Sequence, residues 1–201
     1  MTLLIIIITT LFSIAAFSKT ELIYRYNFNP YQVVHRKQWY RVFSHALLHA
    51  NWEHLIINMI VLFSFGNALQ RYFYIYFGDN LITLFLLIYV GGIIISSVFT
   101  LLKEKDNFNY NAVGASGAVS AVLFACIFFD PMNLIYFFGV IPIPGILFGI
   151  LYLGYSYYMG KKSNDNIGHD AHFWGAVYGF ILPIMLKPSL ISNFIDKLFN
   201  F

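Results

Sequence analysis

The sequence predicts an all-α membrane protein, a bundle of six transmembrane helices with a large, partly embedded loop between the first and second. Three observations carry that expectation. The 201 residues are 59% hydrophobic and only 10% charged, where a soluble domain carries about 25% charged residues. Mean hydropathy is +0.69. Uncharged stretches recur at 2–18, 55–70, 80–102, 107–129, 131–160 and 173–186, and a spanning helix needs about 20 residues. The second and sixth spans are completed by polar residues at their starts. One membrane domain over 1–201 is expected, with no room for a separate soluble one.

Composition also excludes some function classes. A net charge of +3, scattered along the chain, does not suggest a nucleic-acid partner. The single cysteine, Cys126, lies in an apolar run, which rules out an intramolecular disulfide or a cysteine-based metal centre. No cofactor or metal is expected. Met1–Ser18 is apolar from its second residue and lacks the basic start of a secretory signal, so it reads as a retained first helix.

In order, helices are predicted over about 3–17, 52–69, 80–102, 115–129, 145–159 and 170–186. The first is rich in isoleucine, as a lipid-facing helix tolerates. Ser18–Asn51 has aromatics, five Lys/Arg and three His, but few linker signals, which suggests a folded interfacial loop. Within it, Trp39 and Tyr40 read as interfacial anchors and Arg41 as a snorkelling cation. The second helix carries His54 and Asn58 at i, i+4, hence on one face, and ends near Gly66–Leu69. The third has Gly91-Gly92 and Ser96-Ser97 at packing spacing. The fourth opens at Ser116, and its Gly117, Ala121 and Ala125 form a small-residue stripe suited to close helix contact. Asp130-Pro131 breaks it. Met132–Pro144 contains Pro142 and Pro144 and reads as a short re-entrant or hairpin segment. Lys161–Gly168 is a polar loop. The sixth helix carries His172 one turn before a Gly175-x-x-x-Gly179 motif.

The chain is organised around Asn111–Ala125. Ser116 lies between Gly114 and Gly117 at the entrance to an apolar helix, where free backbone N–H groups would stabilise a developing anion. A small-residue helix start also serves close packing alone. Membrane helices two, four and six run in one direction if every span crosses. Ser116, His172, His54 and Asn58 then converge on one side of the membrane, and a hydroxyl beside an imidazole is the minimum for an activated serine nucleophile.

The set Trp39-Tyr40-Arg41, His45-Ala46-Leu47-Leu48-His49, His54-Leu55-Ile56-Ile57-Asn58, Gly114-Ala115-Ser116-Gly117 and Ala171–Gly179 resembles, in order, the rhomboid family of intramembrane serine proteases. The resemblance implies a Ser–His dyad, with Ser116 as nucleophile and His172 as general base and then acid. It also implies an oxyanion site built by His54, Asn58 and the Ser116 backbone N–H. No carboxylate is placed to orient His172 unless Asp170 turns inward. His169 is assigned to the loop, without a catalytic role.

Three features depart from the family pattern. Ser120 stands where the family often has an aromatic stacking on the histidine, so His172 is either less firmly held or held by Trp174 or another ring. Gln70 stands where many relatives carry a glutamate. In the family orientation nine Lys/Arg lie outside (19, 25, 36, 37, 41, 103, 105, 161, 162) and three inside (71, 187, 197), against the positive-inside tendency.

The expected activity is endoproteolysis of transmembrane protein substrates by a multi-pass protein of a bacterial inner membrane, with the lipid bilayer as solvent. A catalytically inactive relative that binds membrane clients is the alternative. A transporter would more naturally show acidic residues in its spans or matched halves.

Overall fold

A computed structural model describes residues 1–137, 139–162 and 168–199. Its helices are α1 (Thr2–Ser18), α2 (Thr20–Tyr26), α3 (Pro30–His35), α4 (Arg41–Ser44), α5 (Trp52–Phe77), α6 (Leu81–Glu104), α7 (Ser116–Phe129), α8 (Gly145–Lys162), α9 (His169–Leu186) and α10 (Leu190–Phe199). A 3-10 turn at His45–Leu47 follows α4. An antiparallel hairpin pairs β1 (Leu134–Phe137) with β2 (Ile141–Pro144). The pair fills the proline-broken segment, because neither Pro142 nor Pro144 can donate to a helical ladder.

α7 is the buried axis: every residue from Gly117 to Phe129 is buried. Small residues bring its neighbours to backbone contact. A Cβ on Gly175 would collide with the Gly117 carbonyl, and one on Gly179 with the Ala121 carbonyl. Contacts that pair 117 with 175 and 121 with 179 make α7 and α9 parallel. α5 runs the same way, since its His54 lies beside Gly114 while Cys126 donates to the Phe65 carbonyl. α6 is antiparallel to them, with Ser96 against Gly117 and Gly92 against Ala118 and Ala121.

Several expectations are corrected. α5 does not end near Gly66 but continues to Phe77 and stops at Gly78, whose φ of 70° suits glycine. Gly66 instead makes room for α1, because a Cβ there would stand 2.8 Å from the Thr2 side chain. Gln70, four residues on, donates to Thr2 Oγ1 at 2.8 Å and helps hold the same helix pair. Among the described residues, two helices, α5 and α6, are each long and apolar enough to cross a membrane. α9 and α10 pass that test only as a pair bent by 119°, and α1 and α7 are shorter apolar helices. α10 was not foreseen. Lys161 and Lys162 belong to α8 rather than to a loop; of that expected loop, residues 163–167 lie outside the described residues.

The segment between α1 and α5 is folded, and Arg41 is its fastener rather than a snorkelling cation. It is only 7% exposed. Its Nε donates to Gln38 Oε1 at 2.6 Å, and its Nη1 to the Tyr24 and Asn27 carbonyls (3.1 and 2.9 Å) and Asn27 Oδ1 (2.6 Å). Snorkelling is unnecessary where buried oxygens already solvate the guanidinium. Trp39 and Tyr40 are exposed, as anchors would be. Arg41→Lys keeps the charge but not the planar fork of donors. It is expected to cost about 1–3 kcal/mol through the acceptors left unsatisfied, read as a lowered melting temperature in detergent.

Candidate active site

The loop before α7 is fixed from the first-loop side. Phe28 and Ala112 form an isolated antiparallel bridge. Asn27 and Asn29 donate their side-chain amides to Asn111 Oδ1 at 3.0 and 3.1 Å. Gly114 N–H donates to the His45 carbonyl at 3.0 Å. Arg41 is thereby linked through Asn27 to the segment that delivers Ser116. Sequence reasoning missed these asparagines, because their only signal is composition spread over more than eighty positions.

Gly114 has φ of 127°, a conformation that favours glycine. A Cβ there would stand 2.6 Å from His54 Cε1, 2.9 Å from His54 Nε2 and 3.7 Å from Ser116 Oγ. The imidazole of α5 and the hydroxyl of α7 therefore flank one glycine. Ser116 is the first residue of α7, where backbone N–H groups lack intrahelical acceptors. Asn58, buried one turn along from His54, donates one amide N–H to the His54 carbonyl at 2.8 Å; its carboxamide has a second.

His172 enters from α9. Its backbone N–H donates to the Gly168 carbonyl at 3.0 Å. The Ala171 carbonyl lies 3.3 Å from where a Cβ on Gly117 would sit. The first turns of α5, α7 and α9 thus meet at one end of three parallel helices. His54, Ser116 and His172 are all half-buried there, sheltered but reachable.

Of three side chains near His172, Asp170 and Trp174 resolve alternatives that the sequence left open, and His169 departs from expectation. Asp170 turns away to pair with Lys103 at 2.6 Å, so no inward carboxylate comes from it. His169 is the first residue of α9, not a loop residue. It is buried, and its ring lies edge-on to His172 with centroids 6.1 Å apart. Trp174 stacks on Phe99 at 3.5 Å, not on His172. Among the described residues, Tyr152 of α8 lies parallel to His172, at 6.2 Å and 26°.

A family model described as the rhomboid domain matches residues 36–189. The chain belongs to the rhomboid family. It is 30% identical over 151 residues to "RHOMBOID-like protein 12, mitochondrial" of Arabidopsis thaliana, covering 68% of this chain and 43% of that protein. It is 26% identical over 163 residues to "Rhomboid protease GluP" of Bacillus subtilis (strain 168), covering 81% of this chain and 29% of that protein. The chain thus spans less than half the length of either relative. In this rhomboid chain the matched region takes in α4 to α9 with Ser116 and His172.

Of the first loop's three histidines, His45 and His49 are buried. His45 Nε2 lies 3.1 Å from Ser97 Oγ, and His49 Nδ1 lies 3.0 Å from Ser13 Oγ. Burial lowers His45 from 6.5 to about 4 and, helped by the neighbouring His54, lowers His49 to about 3. Both therefore fold neutral. The unfolded chain binds more protons than the folded one between those values and 6.5, so stability rises with pH in that window. Stability is expected to be full above about pH 6.5 and to fall on acidification towards pH 4. His45 alone accounts for about 3 kcal/mol of that loss, and melting curves against pH measure it.

Proposed function

We propose that this rhomboid is an intramembrane serine endopeptidase acting through a Ser116–His172 dyad. The observation that carries the reading is the parallel, backbone-tight packing of α7 on α9, which brings the two first turns to one level. Family membership supports it, as does the relative named as a rhomboid protease.

In this mechanism Ser116 Oγ attacks the scissile carbonyl carbon while His172 takes its proton. The carbonyl oxygen becomes negative and is held by the Ser116 backbone N–H, His54 and Asn58. His172 then protonates the leaving amine. Water, deprotonated by the same imidazole, hydrolyses the acyl-enzyme and restores Ser116.

Six spans are proposed: α1, α5, α6, α7, α8 and α9. The fourteen residues of α7 reach about 21 Å, against a hydrocarbon core of about 30 Å. With its Phe129 end at the far surface, the serine lies about 9 Å below the near one. A substrate helix has its backbone hydrogen bonds satisfied, so it must unwind locally to be cut. Substrates are therefore transmembrane segments with small or helix-weakening residues near the cleaved bond. The bacterial inner membrane is the proposed location.

Detergent-purified protein is expected to cleave a fluorescent transmembrane peptide, and Ser116→Ala to lose that cleavage by at least about 10³-fold. Equal cleavage by both would overturn the assignment. Absence of cleavage by both, with the peptide still bound, would favour an inactive client-binding rhomboid.

A further inference from the structure

Tyr152, whose ring lies parallel to His172, belongs to α8, whereas the family pattern places the stacking ring on α7. We propose that Tyr152 of α8 is the positioning residue for His172, and that Ser120 of α7 locks it in place through a hydroxyl–hydroxyl hydrogen bond. The proposal rests on the dyad reading above and adds to it a residue pair that lies outside the motif set.

Four observations converge on the pair. The Tyr152 and His172 rings are 6.2 Å apart at 26°, within the offset-stacked range for aromatic pairs. Tyr152 Oη lies 2.6 Å from Ser120 Oγ, and Ser120 is only 3% exposed. In so apolar a setting, either hydroxyl left without the other would bear the cost of an unmade hydrogen bond. Ser120 is also one turn beyond Ser116 on α7, so the bond ties the wall behind the base to the helix carrying the nucleophile. Gly149 supplies the approach: one turn before Tyr152, the place its Cβ would take is already 3.3 Å from the Phe124 ring, which brings α8 close to α7.

The other candidate orienters are placed differently. Trp174 is stacked on Phe99, and Asp170 is paired with Lys103. His169 is the rival, edge-on to His172 at 6.1 Å. A parallel ring pinned at its hydroxyl blocks the imidazole from turning out of its plane about the Cβ–Cγ bond, whereas the edge-on His169 ring covers no such face. The pair makes α8 part of the catalytic apparatus: a shift of α8 moves Tyr152, and with it the orientation of the base.

The test compares Tyr152→Leu, Tyr152→Phe, Ser120→Ala, the Tyr152→Phe/Ser120→Ala double variant and His169→Phe. Readouts are the rate of fluorophosphonate labelling at Ser116, kcat and KM on a fluorescent transmembrane peptide, and the melting temperature. Tyr152→Leu is expected to lower labelling and kcat by about tenfold or more, with KM little changed; the drop in melting temperature from the orphaned Ser120 hydroxyl is shared by Tyr152→Phe, which keeps the ring. Tyr152→Phe and Ser120→Ala should each give a smaller loss, and the double variant no more than either, since both delete one bond. Returning a ring from α7, as Ser120→Tyr with Tyr152→Ala, should restore labelling above that of Tyr152→Leu. Labelling of Tyr152→Leu at the wild-type rate, or a loss reproduced by His169→Phe alone, would overturn the proposal. Histidine-selective NMR separates this failure from failure of the dyad reading. If the wild-type protein does not label, a His172 ring-current shift that disappears in Tyr152→Leu still upholds the stacking contact. An unchanged shift refutes it.

Discussion

Fluorophosphonate labelling of Ser116 is expected to disappear in His172→Ala. A serine hydroxyl is an ordinary alcohol until a neighbouring base removes its proton as the new bond forms. General-base assistance is worth about 10²–10⁴ in rate, so the variant should fall below detection where the wild-type protein labels readily. The fold should survive, because His172 is half-buried and the contact between α7 and α9 is made by Gly117, Ala121, Gly175 and Gly179. Mass spectrometry of the labelled peptide decides the outcome. Modification at Ser120 or Ser97, or labelling that survives the loss of His172, would refute the dyad as drawn.

Gly175→Ala is expected to abolish labelling without touching either dyad residue. The added methyl would fall on the backbone carbonyl of Gly117, which cannot swing aside like a side-chain end. The two helices must separate, and a displacement near 1 Å costs about 10²-fold in a positioned reaction. Helix propensity acts in the opposite direction, since alanine favours a helix over glycine by about 1 kcal/mol. A loss therefore reports the steric contact. Gly154→Ala on α8 is the control, because nothing lies within 4 Å of the methyl it would add; labelling and melting should be unchanged. Wild-type labelling by Gly175→Ala would show that the α7–α9 contact does not hold the site.

The packing that places the candidate site was legible in the sequence because it rests on small residues at helical spacing. Gly117, Ala121 and Ala125, and Gly175 and Gly179, repeat at intervals of four, which helical periodicity turns into a shared face; Ser116 stands next to the first stripe and His172 one turn before the second. Ser116, His172 and His54 could therefore be brought to one level from their positions relative to Gly117, Gly175 and the start of α5. Apolar composition likewise determined that the bilayer would be the solvent, because too few charged residues exist to cover a soluble surface. Helix ends were less legible. Gly66 carries the same local signal whether it ends a helix or admits a neighbour, and only the presence of Thr2 across from it decides.

What the sequence determined by itself was the membrane class, the helical periodicities and the residues able to do chemistry, since these follow from composition and local spacing. Tertiary structure alone decided which partner each of those residues meets. Arg41 is buried because the carbonyls of Tyr24 and Asn27 fold back around it. Asp170 faces Lys103, 67 positions away. Tyr152 reaches His172 and Ser120 from a helix that no motif marks. Each of these contacts joins segments distant in the chain, and neither hydropathy nor helical period holds information about which distant group will fill a given space.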